Sequence, residues 1–296
     1  MRTRLTALVA GLGALLLLAG LAALSKGAAT ADPQPSANTA APRQDLLVPI
    51  PGQRLLMHTT VLRPPGRGPF PLAVINHGST ESSFERAQTP PPEYPLVSQW
   101  LLARGYLVAL PVRPGHGATG GPYFEDQGRC ERPDYLQSGL RTAASIQAAI
   151  DFLIARPDVD KSGVVVLGQS AGGWGALALA SRNPPMVRAI VNFAGGRGGH
   201  ASGQPNNNCS PDRLVEAAGE FGQGARIPTL WLYAENDSYF APALSNYMYA
   251  TFSRGGDHSE YHLLPPLGPE GHFLADSPAA FALWAPIVAN FLAAHP

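Results

Sequence analysis

The stretch from Val164 to Gly173, VVVLGQSAGG, constrains the fold of this chain more than any other. Four apolar, mostly β-branched residues lead into a Gly-x-Ser-x-Gly sequence at residues 168–172, and a helix-permissive run over residues 174–181 follows. This order predicts a buried strand, a sharp turn and a helix. A serine at such a turn has a strained backbone, and small residues on either side let strand and helix approach closely. We therefore expect the Ser170 hydroxyl to stand above a sheet.

The start of the chain has the pattern of a secretory signal peptide. Two arginines precede an uncharged apolar run over residues 5–24, and the Ala-Thr-Ala of residues 29–31 fits a small-x-small cleavage site. About 20 apolar residues could also span a bilayer, so a retained membrane anchor is the alternative, although the cleavage-like site favours removal. We predict a signal peptide over 1–31, a flexible Pro/Ala/Ser/Asn tail over 32–43 and one large α/β domain over 44–296.

Charge and cysteine content limit the partners that this chain could have. The whole chain has 21 basic and 21 acidic residues, and loss of residues 1–31 would remove three basic residues and no acidic one, leaving a net formal charge of −3. This balance argues against a nucleic-acid partner. The two cysteines, Cys130 and Cys209, lie in a chain that we expect to be exported, where oxidation is the default, so they predict one disulfide. We expect no cofactor, and no membrane association after signal cleavage.

Apolar runs alternate with helical patterns through the rest of the chain. Two short strands near residues 46–48 and 55–62, joined by a Pro-Gly turn, predict an antiparallel edge. The further predicted strands are 71–76, 106–112, 164–167, 189–193, 228–233 and 261–264, and the predicted helices are 95–104, 135–155, 174–181, 212–220, 241–252 and 278–294. Alternation of this kind predicts a parallel sheet with helices on both faces and ligand chemistry at the carboxyl ends of the strands.

If Ser170 is a nucleophile, it needs a base within hydrogen-bond reach and an acid that orients the base. In folds where such a turn carries the serine, the acid and then the histidine follow along the chain. Four histidines lie downstream of the strand at 228–233. His258 precedes the last strand, His262 lies within it and His295 is at the terminus, whereas His272 lies in a loop after that strand. We predict His272 as the base.

The acid is predicted at the end of the strand over 228–233, which is followed by AENDS at residues 234–238. Asp237 lies a few residues past the strand, where its carboxylate can turn back toward the loop of His272. Glu235 is the alternative, because a carboxylate two residues earlier could also reach that loop. We favour Asp237.

An oxyanion that forms at an ester or amide carbonyl requires hydrogen-bond donors aimed at it. One donor is predicted to be the N–H of Ala171, the residue after the nucleophile. The other is predicted in the loop after the strand at 71–76, at the N–H of Ser79, with Thr80 as the alternative. We expect no catalytic role for the neighbouring His77.

Two further histidines follow predicted strands. His116, in Arg-Pro-Gly-His-Gly at residues 113–117, lacks companions at metal-ligand spacing, so we expect a structural role and predict no metal site. His200 lies in a Gly-rich loop over 195–203 and, with Tyr239 and Phe240, is a candidate for lining a substrate pocket.

With these residues in place, the chain resembles the α/β-hydrolase superfamily, and within it most closely the dienelactone hydrolase family in its broad sense. The resemblance covers nearly all of the mature chain. It rests on His77-Gly78, Arg113-x-Gly-His-Gly, Gly168-Gln169-Ser170-Ala171-Gly172, Asp237 with Pro242 after it, and Gly271-His272. It implies an α/β-hydrolase fold: a mostly parallel central sheet of about eight strands, helices on both faces and no large separate lid domain.

The chain departs from the family at one position, since the enzymes that gave the family its name use cysteine as nucleophile and this chain has Ser170. The departure favours a carboxylic-ester hydrolase over a dienelactone hydrolase. The expected function is therefore that of an exported serine esterase working through an acyl-enzyme on a small-molecule or polymer ester. A peptidase or acyltransferase on the same triad and a non-catalytic envelope binding protein are the alternatives.

The superfamily's strand order also bears on the cysteines. With that order, the loops that carry Cys130 and Cys209 emerge on the active-site side, on opposite flanks of the Ser170 strand. The resemblance therefore implies a Cys130 to Cys209 disulfide that ties the two loops together beside or over the cleft.

Overall fold

The computed structural model describes residues 41–256 and 258–296. The strands are β1 (Arg43–Pro49), β2 (Leu56–Leu62), β3 (Phe70–Asn76), β4 (Leu107–Pro111), β5 (Val159–Gln169), β6 (Val187–Phe193), β7 (Thr229–Ala234) and β8 (Ser259–Leu264). The helices are α1 (Ser83–Ala87), α2 (Pro95–Ala103), α3 (Tyr135–Ile154), α4 (Ala171–Ala180), α5 (Pro211–Gly224), α6 (Pro242–Phe252) and α7 (Pro278–Ala294). The predicted signal peptide lies outside the described residues. Within them, none of the helices has the length and apolarity that crossing a membrane requires.

The eight strands form one sheet in the order β1-β2-β4-β3-β5-β6-β7-β8. Strand β2 runs antiparallel to both of its neighbours, and every other neighbouring pair is parallel. Arg43, the last residue of the predicted tail, is already part of β1 and donates a hydrogen bond to Thr60 of β2 over 3.0 Å. The predicted mostly parallel sheet with an antiparallel edge is confirmed.

Helices cover both faces of the sheet, as strand β6 illustrates. Successive side chains of a strand point to opposite faces. Asn192 of β6 lies so close to Gly173 of α4 that a Cβ atom on this glycine would be 2.3 Å from the Asn192 amide oxygen. On the other face, the Phe193 ring packs against Trp284 of α7 with ring centroids 5.3 Å apart. Strands covered on both faces read as continuous apolar runs, which is why the sequence marked them clearly.

Two long loops flank strand β5 at its carboxyl end, residues 112–134 after β4 and residues 194–210 after β6. Cys130 and Cys209 form a disulfide that joins them. The Tyr135 hydroxyl also donates a hydrogen bond to the Cys209 carbonyl. Within the described residues these loops carry no inserted lid domain, and the helix α1, which the sequence analysis did not predict, is the one α-helix between β3 and α2.

Candidate active site

Ser170 occupies the sharp turn between β5 and α4. Its backbone has φ +56° and ψ −121°, a conformation that is strained for a residue with a side chain. Close packing around the turn excludes larger neighbours: a Cβ on Gly168 would be 2.3 Å from the Gly172 carbonyl oxygen, and a Cβ on Gly172 would be 2.2 Å from that of Asn76. The two glycines thus let strand β5, helix α4 and the end of β3 meet beneath the serine.

The structure brings Asp237 and His272 together. His272 Nδ1 lies 3.2 Å from each carboxylate oxygen of Asp237, and both side chains are almost fully buried. The Asp237 oxygen Oδ1 also accepts the N–H groups of Tyr239 and Phe240 over 2.8 and 2.9 Å. These bonds fix the carboxylate, so Nδ1 of the imidazole is the donor and Nε2 is left free to accept a proton. The alternative acid, Glu235, is exposed and makes no contact with His272.

Gln169, the residue before the serine, links the turn directly to the histidine loop. Its side-chain amide donates to the His272 carbonyl over 2.6 Å, and its amide oxygen accepts the Ala275 N–H over 3.4 Å. The sequence analysis gave Gln169 no role. No hydrogen bond of 3.5 Å or less joins Ser170 to His272 among the described residues. Such contacts are commonly longer without substrate and shorten in the reactive complex.

The two predicted oxyanion donors both face the cavity above Ser170. Ala171 is the first residue of α4, so its N–H has no partner within the helix. Ser79 lies in the loop after β3, and both residues line the same cavity as Ser170. Gly78 brings this loop close, since a Cβ there would be 3.3 Å from the Ser170 Cβ. Thr80, whose N–H is the alternative donor, also lines the cavity.

A chain of side-chain hydrogen bonds supports Ser79 from behind. The Ser79 hydroxyl lies 2.8 Å from His116 Nε2 and 3.0 Å from the Tyr123 hydroxyl, which accepts from Arg197 over 2.7 Å. His116 Nδ1 faces the carbonyls of Arg113 and Pro114. Burial lowers the pKa of His116 to about 4, so its ring is neutral at pH 7 and Nε2 can accept. His116 thus holds the Ser79 side chain in the predicted oxyanion loop.

Beneath this chain lies a buried cluster of charges formed by Glu125, Arg113 and Arg197. The Glu125 carboxylate is 2.5 Å from Arg113 Nε and 2.9 Å from Arg197 Nη2, and all three side chains are almost fully buried. Burial alone would raise the pKa of the Glu125 carboxyl, but the two guanidinium groups hold it well below its usual range. The cluster joins the loop of residues 112–134 to the loop of residues 194–210, the same pair that the disulfide connects.

His77 is buried, and within the described residues its two ring nitrogens have hydrogen-bond partners only in the backbone. Its Nε2 accepts the Arg113 N–H over 3.1 Å, so Nδ1, which lies 2.6 Å from the Gly78 carbonyl, carries the proton. Burial also lowers the pKa of His77 well below its ordinary value. The residue fixes the path of the Ser79 loop against β4, and the geometry gives it no proton-transfer partner.

A cavity of about 450 Å³ opens above Ser170. The three predicted pocket residues, His200, Tyr239 and Phe240, all line it. The remaining lining is largely small or polar, and consists of Ser79, Thr80, Glu81, Ser82, Glu85, Ala171, Gly196, Arg197, Gly198, Gly199 and Gly203. The sequence analysis missed the contribution of α1 and the loop before it, because five helical residues are too few to show a periodicity. No group of three or more His, Cys, Asp or Glu side chains within residues 41–256 and 258–296 could hold a metal ion.

Comparisons with known proteins identify the fold. The model of the prolyl oligopeptidase family, Peptidase_S9, matches residues 92–196. The Pyrococcus furiosus esterase Pf2001 superposes with a TM-score of 0.62 at 15% identity, covering 86% of this chain and 93% of the esterase. A provisionally assigned dienelactone hydrolase from Klebsiella pneumoniae gives 0.58 at 19% identity, covering 86% and 99%. The Pyrococcus horikoshii acylaminoacyl peptidase gives 0.62 at 12% identity, covering 86% of this chain and 41% of the peptidase.

The chain therefore has the α/β-hydrolase fold, which is the fold that the resemblance implies. The structural relatives include proteins named as esterases and proteins named as peptidases. They share the fold, but their names refer to the cleavage of different bonds. A shared fold does not by itself assign a reaction, which depends on the geometry of the site.

Proposed function

We propose that this protein is a serine hydrolase that cleaves carboxylic esters through an acyl-enzyme, with Ser170, His272 and Asp237 as its triad. The observation that carries the proposal is the strained Ser170 at the floor of a cavity, with the buried His272–Asp237 pair supplied by the neighbouring loops. A strained nucleophile turn in front of an oriented imidazole is the arrangement that acyl transfer requires.

In the proposed reaction, Ser170 Oγ attacks the ester carbonyl and its proton passes to His272 Nε2. The carbonyl oxygen becomes an oxyanion, which accepts hydrogen bonds from the N–H groups of Ala171 and Ser79. The C–O bond to the alcohol then breaks, and His272 returns its proton to the leaving oxygen. Water attacks the resulting acyl-Ser170 with His272 again taking a proton, and the acid departs while Ser170 regains its hydrogen. Asp237 stabilises the imidazolium in both halves.

Replacement of the nucleophile tests this proposal. Ser170→Ala should reduce hydrolysis of a short p-nitrophenyl ester by at least about 10³-fold, because no acyl-enzyme can form. Its thermal unfolding midpoint should not fall, since the substitution removes a hydroxyl that makes no hydrogen bond to the rest of the described chain. A fully active Ser170→Ala protein would contradict the triad.

A peptidase on the same triad is the second candidate, because the matched family model over residues 92–196 is that of prolyl oligopeptidases and one structural relative is an acylaminoacyl peptidase. Paired substrates with the same acyl group, one an ester and one a p-nitroanilide, separate the two functions. We expect ester turnover to exceed anilide turnover. Faster cleavage of the anilide would favour the peptidase.

Export is part of the proposal. It is supported by the arginine-flanked apolar run over residues 5–24 and by the disulfide between Cys130 and Cys209. Expression of the full-length chain in a bacterial host, followed by fractionation and N-terminal sequencing, tests it. A protein that begins at Asp32 in the periplasm or medium is the expected result, and retention of residues 1–31 in the membrane would favour the anchor.

A further inference from the structure

Glu270 occupies a position in the site that the proposed triad leaves without a function. It precedes His272 by two residues in the loop after β8, and its side chain is half-buried. One carboxylate oxygen, Oε1, accepts the His272 N–H over 2.9 Å and the Ser238 N–H over 3.2 Å. The same carboxyl group therefore binds the backbone next to the acid, Asp237, and the backbone of the base.

The other carboxylate oxygen of Glu270, Oε2, is connected by hydrogen bonds to the wall of the cavity. Oε2 is hydrogen-bonded to the Ser238 hydroxyl, and that hydroxyl lies 2.7 Å from His200 Nε2. His200 in turn stacks on Tyr239, with ring centroids 3.5 Å apart and planes 9° apart. Tyr239 stacks on His272 at 4.1 Å and 23°. Two routes, a hydrogen-bond chain and a ring stack, thus run from His200 to His272.

The other contacts of His272 hold its ring and its carbonyl, and they leave its backbone N–H for Glu270 to bind. Asp237 fixes Nδ1, Gln169 fixes the carbonyl and Tyr239 covers one ring face. Within the described residues, Glu270 supplies the acceptor for the His272 N–H. An imidazole that transfers protons must be held to within a fraction of an ångström, because a displacement of about 1 Å can cost about 100-fold in rate. The Glu270 carboxylate therefore adds a hydrogen bond that holds the His272 backbone.

We propose that Glu270 is a positioning residue that clamps the acid loop to the histidine loop and so sets the reach of His272 Nε2 toward Ser170. The inference rests on the proposed function, since it assigns Glu270 a role in aligning that triad. Its action is through backbone N–H groups, and it touches neither the substrate nor the reacting atoms.

The test compares Glu270→Ala and Glu270→Gln with the control Glu235→Ala, which removes an exposed carboxylate from the adjoining loop. Two readouts are needed: the rate at which a fluorophosphonate probe labels Ser170, and kcat and KM on a short p-nitrophenyl ester. Glu270→Ala should lower the labelling rate and kcat by about 10- to 100-fold and leave KM within about twofold. Glu270→Gln should keep most of the activity, because its amide oxygen can still accept both N–H groups.

Thermal unfolding of each variant, measured first, ensures that all assays are run on folded protein. An unchanged labelling rate in Glu270→Ala would overturn the inference, as would an equal loss in the Glu235→Ala control. A loss in Glu270→Gln as large as in Glu270→Ala would also overturn it, because acceptance of the N–H groups would then not be what matters. If the probe does not label Ser170 in the unaltered protein, the proposed function itself fails, and the inference fails with it.

Discussion

The two sides of Ser170 are held in place by different kinds of interaction. On one side, the Ser79 loop rests on hydrogen bonds between side chains that end in the buried Glu125 cluster. On the other side, the loops of Asp237 and His272 are held by carboxylates that accept backbone N–H groups of residues at most three positions away, or in the adjoining loop. One side depends on a carboxylate buried between two guanidinium groups, and the other on carboxylates that accept backbone N–H groups.

This difference predicts different consequences of mutation. A buried carboxylate between two guanidinium groups has lost its hydration, so removal of one partner leaves charges uncompensated and should affect folding. Asp237 and Glu270 bind backbone N–H groups and no guanidinium group, so substitutions that keep an acceptor oxygen should change the alignment of His272 more than the stability. Substitutions on the oxyanion side are thus expected to lower mainly the stability of the protein. Substitutions on the histidine side are expected to lower mainly the catalytic rate.

The largest effect is expected for Asp237→Asn. The asparagine amide would favour the wrong imidazole tautomer, with the proton on Nε2, and kcat for ester hydrolysis should fall by about 10³- to 10⁴-fold. The unfolding free energy should change much less, because the Asn oxygen can still accept the N–H groups of Tyr239 and Phe240.

Glu235→Gln is the matched control for this prediction, since Glu235 is exposed on the same loop and lies outside the contacts of His272. It should retain kcat within about twofold. If kcat fell by less than tenfold in Asp237→Asn and by more in Glu235→Gln, Glu235 would be the acid. The contrast between the two sides of Ser170 would then lose its basis.

The second largest effect, a loss of stability, is expected for Glu125→Gln. The substitution keeps the shape of the side chain but leaves the positive charges of Arg113 and Arg197 without their counterion, which should cost about 3–5 kcal/mol in the free energy of unfolding. Urea denaturation at pH 7 measures it. Glu131→Gln, in the same loop but exposed, is the control and should change stability by less than about 0.5 kcal/mol.

The difference in unfolding free energy between the unaltered protein and Glu125→Gln should depend on pH. The pKa of Glu125 is lower in the folded protein than the ordinary value of 4.5, so its contribution to stability is fully present above about pH 4.5 and decreases as the pH falls toward the folded value. The stability gap between the unaltered protein and Glu125→Gln should therefore narrow below pH 4.5. A gap that widened on acidification would mean that Glu125 is not held as a carboxylate.

The same contrast explains how far the site could be predicted from the sequence. Ser170, Asp237 and His272 are candidates because each lies in the turn or loop that follows a predicted strand, and the carboxyl ends of parallel strands lie at one edge of a sheet. Strands β7 and β8 are neighbours in the sheet, and the loops after them bring Asp237 and His272 into contact. Local pattern and a general rule of topology are sufficient to predict these three residues as candidates.

The Glu125 cluster could not be predicted in this way. Glu125 lies 12 residues from Arg113 and 72 from Arg197, in loops without periodicity, and their meeting depends on the paths of both loops. Glu270 was visible as a neighbour of His272, but its function as an acceptor depends on a loop bend that folds its carboxylate back over the His272 N–H. Interactions set by loop paths leave no regular spacing in the sequence.

The smallest effect is expected for Tyr123→Phe, which removes the hydroxyl between Arg197 and Ser79 but keeps the ring on which Arg86 stacks at 3.7 Å. The two lost hydrogen bonds should each cost about 0.5–1.5 kcal/mol in stability. The value of kcat should fall by about two- to tenfold because the Ser79 N–H is less firmly held. Tyr247→Phe, at a tyrosine that is 67% exposed on α6, is the matched control and should be neutral. If Tyr123→Phe lowered kcat as strongly as Asp237→Asn, the oxyanion side would govern the rate as directly as the histidine side, and the proposed division between stability and rate would be wrong.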